Sequence, residues 1–131
     1  MAKSKPTDGE LAILRILWKN GPSTVRTVND RLNDQRPVGY TTTLKIMQIM
    51  FDKGLLSRTK DGKTHVYEAM ITEEETQSAM VGSLLDKVFQ GSAMKLVMRA
   101  LGQKQSSPEE LAQIRAFLDE LEDQAPNEET S

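Results

Sequence analysis

Residues 39–72 read GYTTTLKIMQIMFDKGLLSRTKDGKTHVYEAMIT and change from a helical to an extended pattern at Gly54. From about Thr41, apolar residues recur every three or four positions, as they do on one side of a helix. Gly54 suits the left-handed conformation that commonly ends a helix. The segments LLSRTK and KTHVYEAM then flank Asp61-Gly62, a dipeptide that favours a tight hairpin turn. The sequence therefore predicts a helix that leads directly into a β-hairpin.

Two more helices are predicted ahead of this segment. Thr7 and Glu10 have the spacing of a capping box and open the first helix, which Gly21-Pro22 ends. Ser23 is a natural N-cap for the second helix, and the loop Asn33 to Gly39 follows it. Three helices followed by a hairpin is the element order of a winged helix. We therefore predict a mainly α fold that carries a β wing.

The chain after residue 71 is predicted to be helical. Thr72 and Glu75 form a second capping box, Ser92 can cap a further helix, and Ser107-Pro108 opens a last one. The first of these helices has an apolar stripe too wide for one side of a lone helix, so we predict that a second copy of the chain covers it. The residues assigned to dimerisation are Leu84, Leu85, Val88, Leu111, Ile114, Leu118 and Leu121.

Three regions follow from these patterns. Residues 1–71 are predicted to form an N-terminal winged helix-turn-helix, and residues 72–123 a C-terminal helical dimerisation region. Residues 124–131, QAPNEETS, lack apolar anchors and are predicted to be disordered.

Charge is divided unevenly along the chain. The whole chain has 17 Lys and Arg against 19 Asp and Glu, a net charge of −2. Residues 1–70 hold twelve basic and seven acidic residues, net +5, whereas residues 71–131 hold five and twelve, net −7. A basic half suits a polyanion and an acidic half is repelled by one, so the first half is predicted to bind DNA. A chance run of solvated charges is the alternative interpretation.

The residue types exclude several kinds of chemistry. The chain has no cysteine, which excludes disulfides, thiolate nucleophiles and thiolate metal sites. His65, the single histidine, has no second histidine or cysteine with which to complete a metal site. We therefore predict no metal, no cofactor and no enzymatic activity. The longest apolar run is Leu11–Leu14, and no apolar segment follows the first lysines, so we expect a cytoplasmic protein without membrane insertion.

The third predicted helix carries the residues expected to read DNA. At 100° per residue, one stripe holds Thr41, Lys45, Gln48 and Asp52, away from most of the apolar residues. The first turn presents Thr41, Thr42 and Thr43, whose hydroxyl and methyl groups can contact phosphates or thymine methyls. Lys45 adds a cation, and the Gln48 amide can pair with adenine. An ordinary amphipathic helix with its polar side in water is the alternative.

The predicted hairpin supplies a second set of contacts. With Asp61-Gly62 at the centre of the turn, Lys60 pairs with Lys63 and Arg58 with His65, all on one face. Like charges placed directly opposite each other destabilise a hairpin, so this pairing indicates a wing that faces phosphates. A register slip of one residue would distribute the cluster over both faces.

The segment 39–72 closely resembles the winged helix of the penicillinase and methicillin-resistance repressors, the BlaI/MecI family. Residues 7–18, TDGELAILRILW, resemble the same family, and the similarity covers roughly residues 6–121. The resemblance implies a homodimeric transcriptional repressor that binds a palindromic operator in double-stranded DNA through two heads. It also implies that the acidic C-terminal helices are exchanged or packed between subunits. The matching positions are Thr41, Thr42, Thr43, Lys45 and the basic residues of the wing.

Two departures from the family concern release from DNA. Antibiotic-responsive members are cut by a membrane sensor protease at an Asn-Phe bond, where this chain has Arg99-Ala100, so a sensor or protease partner is not supported. The copper-responsive members carry a cluster of C-terminal cysteines, which this chain lacks. The sequence therefore does not identify the signal that releases the protein from DNA.

The runner-up interpretation is a winged helix that binds another protein and not DNA. The net negative charge and the acidic C-terminal half would suit such a module. A steep salt dependence of duplex binding separates the two, because release of counterions from phosphates makes affinity fall as salt rises.

Overall fold

The computed structural model describes residues 5–125, in which six helices and a three-stranded antiparallel sheet are formed. The elements follow in the order α1 (Asp8–Asn20), β1 (Ser23–Thr24), α2 (Val25–Asn33), α3 (Tyr40–Asp52), β2 (Leu56–Asp61), β3 (Thr64–Ala69), α4 (Glu73–Val88), α5 (Ala93–Gln103) and α6 (Pro108–Gln124). The predicted order of three helices, a hairpin and a helical region is confirmed.

The chain divides into two compact units between Leu84 and Leu85, inside α4. That division concerns packing, and the functional boundaries predicted after residues 71 and 123 stay predictions. Of the predicted disordered tail, Gln124 is the last residue of α6, and residues 126–131 lie outside the described residues.

The predicted capping boxes are formed. The Thr7 hydroxyl accepts a hydrogen bond from the Glu10 N–H at 3.2 Å, and Glu10 Oε1 accepts one from the Thr7 N–H at 3.0 Å. Thr72 and Glu75 make the same reciprocal pair at the start of α4. Each box satisfies N–H groups that a helix leaves without intrahelical partners at its first turn.

The start of α2 differs from the prediction. Ser23 is not the N-cap, because its backbone pairs with Tyr67 of β3 and its hydroxyl donates to the Gly21 carbonyl at 2.9 Å. Thr24 caps α2 instead, and its hydroxyl accepts a hydrogen bond from the Thr27 N–H at 3.2 Å. Ser23 and Thr24 thus form β1, a short third strand that pairs with β3, so that the sheet has the order β1-β3-β2.

A single apolar core holds the three helices against the base of the hairpin. Met47 and Met50 supply the buried side of α3, and Leu56 and Tyr67 supply the sheet. Burying a side chain of this size contributes roughly 1.5–3 kcal/mol. The core residues are Ile13, Leu14, Leu17, Val25, Val28, Met47, Met50, Leu55, Leu56 and Tyr67.

The hairpin has a register that differs from the predicted one. Arg58 pairs with Tyr67 and Lys60 with His65, so the predicted pairings of Lys60 with Lys63 and Arg58 with His65 are wrong. In the structure, the β3 partner of each of these residues lies two positions further along the chain than predicted. Because side chains alternate between faces with a period of two, Arg58, Lys60 and His65 still share one face, whereas Lys63 moves into the turn.

The turn explains the changed register. Asp61 pairs with Thr64, so the central turn residues are Gly62 and Lys63. Gly62 has a φ of 67°, and no other residue of this turn has a positive φ. A glycine at the first central position is the preference of a type II′ turn, whereas the predicted turn required a positive φ at Asp61 as well.

The helices after residue 72 leave many apolar side chains at the surface. Neither α5 nor α6 contains a buried residue, and the buried residue of α4 is Thr76. The exposed apolar residues in these helices are Val81, Leu84, Val88, Met94, Val97, Met98, Leu101, Phe117, Leu118 and Leu121. None of the helices within residues 5–125 combines the length and apolar character that a membrane crossing requires.

Candidate nucleic-acid interface

Helix α3 presents most of its predicted contact residues to solvent. Thr41, Thr42, Lys45 and Gln48 are exposed, on the side away from the buried methionines. Its N-cap, Gly39, provides no side-chain hydrogen bond. The first-turn N–H groups of α3 therefore have no capping side chain, and they can donate to a phosphate.

Thr43 corrects the prediction for this helix. Its side chain is 0% exposed, and its hydroxyl accepts a hydrogen bond from Asn29 Nδ2 at 2.8 Å. Thr43, Met47 and Met50 are spaced i, i+4 and i+7, which places all three on the buried face. Thr43 cannot contact DNA in this fold, and its role is to pack α3 against α2.

The loop before α3 is held by a network of two asparagines from α2. Asn29 Nδ2 also donates to the Val38 carbonyl at 3.0 Å, and Asn33 Nδ2 donates to the same carbonyl at 2.9 Å. The Val38 N–H in turn donates to Asn33 Oδ1 at 3.1 Å. These bonds hold Val38, which lies two residues before the start of α3, against α2.

A groove of about 620 Å³ lies beside α3 and joins it to the wing. Four of the predicted contact residues line it, namely Gln48, Arg58, Lys63 and His65. The predicted residues Thr41, Thr42, Lys45 and Lys60 do not line the groove. Its lining is completed by Thr24, Val25, Arg26, Tyr40, Leu44, Thr64 and Tyr67, so that no lining residue is acidic.

Arg26 and Tyr40 were missed by the sequence-based prediction. The Arg26 guanidinium lies over the Tyr40 ring, with Cζ 5.3 Å from the ring centroid. A sequence signal for Arg26 was available, because it stands in the first turn of α2, where the helix dipole disfavours a cation. A cation in that position gains no stabilisation from the helix dipole.

Arg58 is also held by an aromatic ring. Its Cζ lies 4.0 Å from the centroid of the Phe51 ring, and its side chain is half-buried. Further along the hairpin, the His65 ring meets the edge of the Tyr67 ring at 6.4 Å between centroids. The wing thus has an ordered cation near its base and exposed cations, Lys60 and Lys63, towards its tip.

Ile49 is an exposed apolar residue of α3 beside the predicted contact residues. Its side chain is 43% exposed, one turn after Lys45 and next to Gln48. The sequence-based prediction considered only polar residues on this stripe and therefore omitted it. An aliphatic side chain in this position can contact a thymine methyl group.

Comparisons with known proteins identify the family of the chain. The family model described as penicillinase repressor matches residues 6–120. The chain belongs to the penicillinase repressor family. It is 25% identical over 114 residues to the penicillinase repressor of Bacillus licheniformis, covering 87% of this chain and 89% of that protein. It is 28% identical over 117 residues to the transcriptional regulator BlaI of Mycobacterium tuberculosis, covering 88% and 83%.

A solved structure supports the fold of the N-terminal part. The solution structure of the DNA binding domain of the repressor BlaI matches with a TM-score of 0.50 and 25% identity, covering 56% of this chain and 93% of that domain. The predicted membership of the BlaI/MecI family and the predicted winged helix are both confirmed.

The C-terminal helices of this penicillinase repressor family member carry apolar side chains at the surface. Of the residues assigned to dimerisation, Leu84, Val88, Leu118 and Leu121 are exposed, and Leu85, Leu111 and Ile114 are half-buried. The prediction omitted the apolar face of α5, formed by Met94, Val97, Met98 and Leu101, and also Phe117. Their spacing of i, i+3, i+4 and i+7 along α5 was readable from the sequence. In the described part of the chain, no three His, Asp or Glu side chains come together as metal ligands.

Proposed function

We propose that this protein is a transcriptional repressor that binds operator DNA as a homodimer. The observation that supports it best is the position of an exposed, polar recognition stripe on α3 beside a groove whose charged lining residues are all cationic. The names of its relatives, a penicillinase repressor and a transcriptional regulator, support the same function.

In the proposed complex, α3 lies in the major groove of duplex DNA. Lys45 and Gln48 reach the base edges, and the Gln48 amide pairs with the N6 and N7 atoms of an adenine. Ile49 packs against a thymine methyl group. Thr41 and Thr42, with the uncapped N–H groups at the start of α3, contact a phosphate and fix the register of the helix.

The wing lies along the DNA backbone next to the major groove. Lys60 and His65 form a cross-strand pair, and Lys63 stands in the turn beyond them. Cations placed in this way contact phosphates and contribute affinity without sequence preference.

A second copy of the chain is the proposed partner of the apolar C-terminal faces. Each helix from α4 to α6 exposes large aliphatic or aromatic side chains, and exposed apolar patches of this kind mark interaction surfaces. Two heads joined in this way would bind a palindromic operator whose half-sites are about one helical turn apart, or a multiple of it. Repression follows because a bound dimer excludes RNA polymerase from the promoter.

No sensor protease and no cofactor belong to this proposal. Arg99 and Ala100 occupy the position of the family's Asn-Phe cleavage bond, and they lie inside α5. The expected location is the cytoplasm, where a bacterial operator is found.

Titration of a duplex with the full-length protein at several salt concentrations tests the function. We expect log affinity to fall linearly with log salt, with a slope of about −0.9 for each phosphate contacted. Native mass spectrometry of the complex on a selected palindrome is expected to give two chains per duplex. A complete lack of duplex binding at low salt would favour the alternative, a winged helix that binds a protein.

A further inference from the structure

A cavity of about 430 Å³ is lined by residues from the end of α1, the end of β3 and the start of α4. It shares no lining residue with the groove beside α3. Its volume is in the range of pockets that hold small organic molecules, about 300–1,000 Å³. The cavity is therefore a candidate ligand site that is separate from the proposed DNA contacts.

One wall of this cavity is apolar and ordered. Trp18 Nε1 donates a hydrogen bond to the Ile71 carbonyl at 2.8 Å, which holds the indole ring against the chain that leads into α4. Leu17 beside it belongs to the core, whereas Trp18 and Ala69 are half-buried. An ordered aromatic ring that is still partly accessible can stack on an apolar group or face a cation.

The charged residues that line the cavity are all acidic. Glu68 comes from β3, and Glu73 and Glu74 come from the first turn of α4. In the part of the chain that the structure describes, none of the three forms an ion pair, and no basic residue lines the cavity. The dipole of α4 favours acidic residues in its first turn, but it does not account for Glu68, which lies on a strand.

We infer that this cavity binds a small organic cation, an ammonium group attached to an aromatic or aliphatic body. The body packs on the Trp18 ring and its aliphatic neighbours, and the ammonium group pairs with the carboxylates. The same carboxylates repel an anionic ligand and give a neutral ligand no ion pair. The inference does not depend on the proposed DNA binding, although the first turn of α4 links the winged helix to the residues assigned to dimerisation.

Trp18 makes the inference directly testable, because it is the only tryptophan of the chain. The tryptophan fluorescence of the full-length protein therefore reports on this cavity alone. The titration compares three probes of similar shape at one ionic strength, namely 2-phenylethylammonium, neutral 2-phenylethanol and anionic 3-phenylpropionate. We expect a saturable change in emission with the ammonium compound, at an affinity about three- to tenfold above that of the alcohol. The carboxylate is expected to bind more weakly than either.

Glu68→Gln removes one carboxylate and keeps the shape of the side chain. Glu68 is exposed, so we expect the variant to fold, and thermal unfolding checks this. Its affinity for 2-phenylethylammonium should fall about threefold, and its affinity for 2-phenylethanol should not change. Asp30→Asn is the matched control, because it removes a negative charge at an exposed position of α2 that does not line the cavity. This control should bind all three probes as the wild type does.

Four results would overturn the inference. No saturable change in emission with 2-phenylethylammonium, together with no heat of binding in calorimetry, would remove the cavity as a ligand site. Equal affinities for the ammonium compound and the alcohol would show that the carboxylates do not select the ligand, and tighter binding of 3-phenylpropionate would reverse the expected sign. Wild-type affinity for the ammonium compound in Glu68→Gln would place the cation elsewhere. Each of these results would leave duplex binding, measured on the same preparation, as a separate question.

Discussion

Lys53 Nζ lies 2.8 Å from Glu10 Oε2 and joins the first turn of α1 to the end of α3. The Glu10 side chain is only 5% exposed and also completes the capping box with Thr7. Lys53 follows the last residue of α3, where the helix dipole favours a cation. One ion pair thus connects the capping of α1 to the position of the helix that we assign to DNA reading.

The ion pair makes the stability of the head sensitive to acid. Burial alone raises the pKa of Glu10, but hydrogen bonds from Lys53 Nζ and the Thr7 N–H, with the charge of Lys53, leave that pKa below its ordinary value of 4.5. Because the folded-state pKa is the lower one, the stabilisation is complete above the unfolded-state pKa. It is lost as the pH falls through the folded-state pKa.

Lys53→Met therefore has a pH-dependent effect. We expect it to lower the free energy of unfolding by about 1–3 kcal/mol at pH 7, and by progressively less below the ordinary glutamate pKa. Urea unfolding of the wild type and the variant, at pH 7 and at a pH below the ordinary glutamate pKa, measures the difference in the free energy of unfolding. Lys19→Met, which removes an exposed lysine from α1, is the control. An equal loss for Lys53→Met at both pH values would show that the charge of Glu10 is not involved.

Substitution of Thr43 is expected to affect stability, whereas substitution of Thr41 is expected to affect DNA binding. Thr43→Val removes the acceptor of the 2.8 Å bond from Asn29 and should lower the melting temperature. Its duplex affinity should stay within about twofold of wild type, because the side chain is buried. Thr41→Val should instead leave the melting temperature unchanged and weaken binding about fivefold, the equivalent of about 1 kcal/mol for one hydrogen bond. A Thr43→Val protein that is stable but unable to bind DNA would contradict this assignment.

Local features of this fold were predictable, and the features that depend on distant partners were not. The boxes Thr7–Glu10 and Thr72–Glu75 were predicted because both partners lie three residues apart. The strand β1 was not, because two residues form a strand only through pairing with β3, more than forty positions later. Thr43 was placed on the surface for a similar reason, since its Asn29 partner lies on another helix.

The candidate site shows the same limit. The cationic character of the wing was readable from the sequence, but its register depended on which turn residue takes a positive φ. Arg26 and Arg58 line one groove only because the sheet and α2 are folded together. Sequence spacing gave no measure of that proximity, although the unfavourable place of Arg26 in the first turn of α2 was visible.

Gln48 is expected to contribute sequence-specific affinity for DNA, whereas Lys60 is expected to contribute affinity that does not depend on the sequence. Gln48→Ala should abolish discrimination at one adenine of the operator, a loss of about 1–3 kcal/mol confined to that base pair. Lys60→Ala should weaken all sequences alike and reduce the salt slope by about 1. Binding measured on a set of single-base operator variants distinguishes the two patterns. A sequence-independent loss for Gln48→Ala would mean that this residue contacts the backbone.

Ile49 is expected to recognise a thymine through its methyl group. Burial of one methyl is worth roughly 0.8 kcal/mol, so replacing the contacted thymine with uracil should weaken wild-type binding about fourfold. Ile49→Ala should bind the thymine and uracil duplexes equally. The experiment substitutes each thymine of the site in turn, with substitutions outside the site as controls. If no thymine distinguishes wild type from Ile49→Ala, the exposed isoleucine has no reading role.

A charge placed in the proposed dimer contact is expected to separate the two subunits. Ile114→Glu introduces a carboxylate among the apolar residues of α6, and we expect it to sediment as a monomer. Its affinity for a palindromic operator should fall by about 10²–10⁴-fold, because two joined heads bind with a high effective concentration. Affinity for a single half-site should hardly change.

Gln113→Glu adds the same charge at the adjacent exposed position and should remain a dimer. Circular dichroism establishes that both variants are helical, and an Ile114→Glu protein that still sediments as a dimer would place the subunit contact elsewhere.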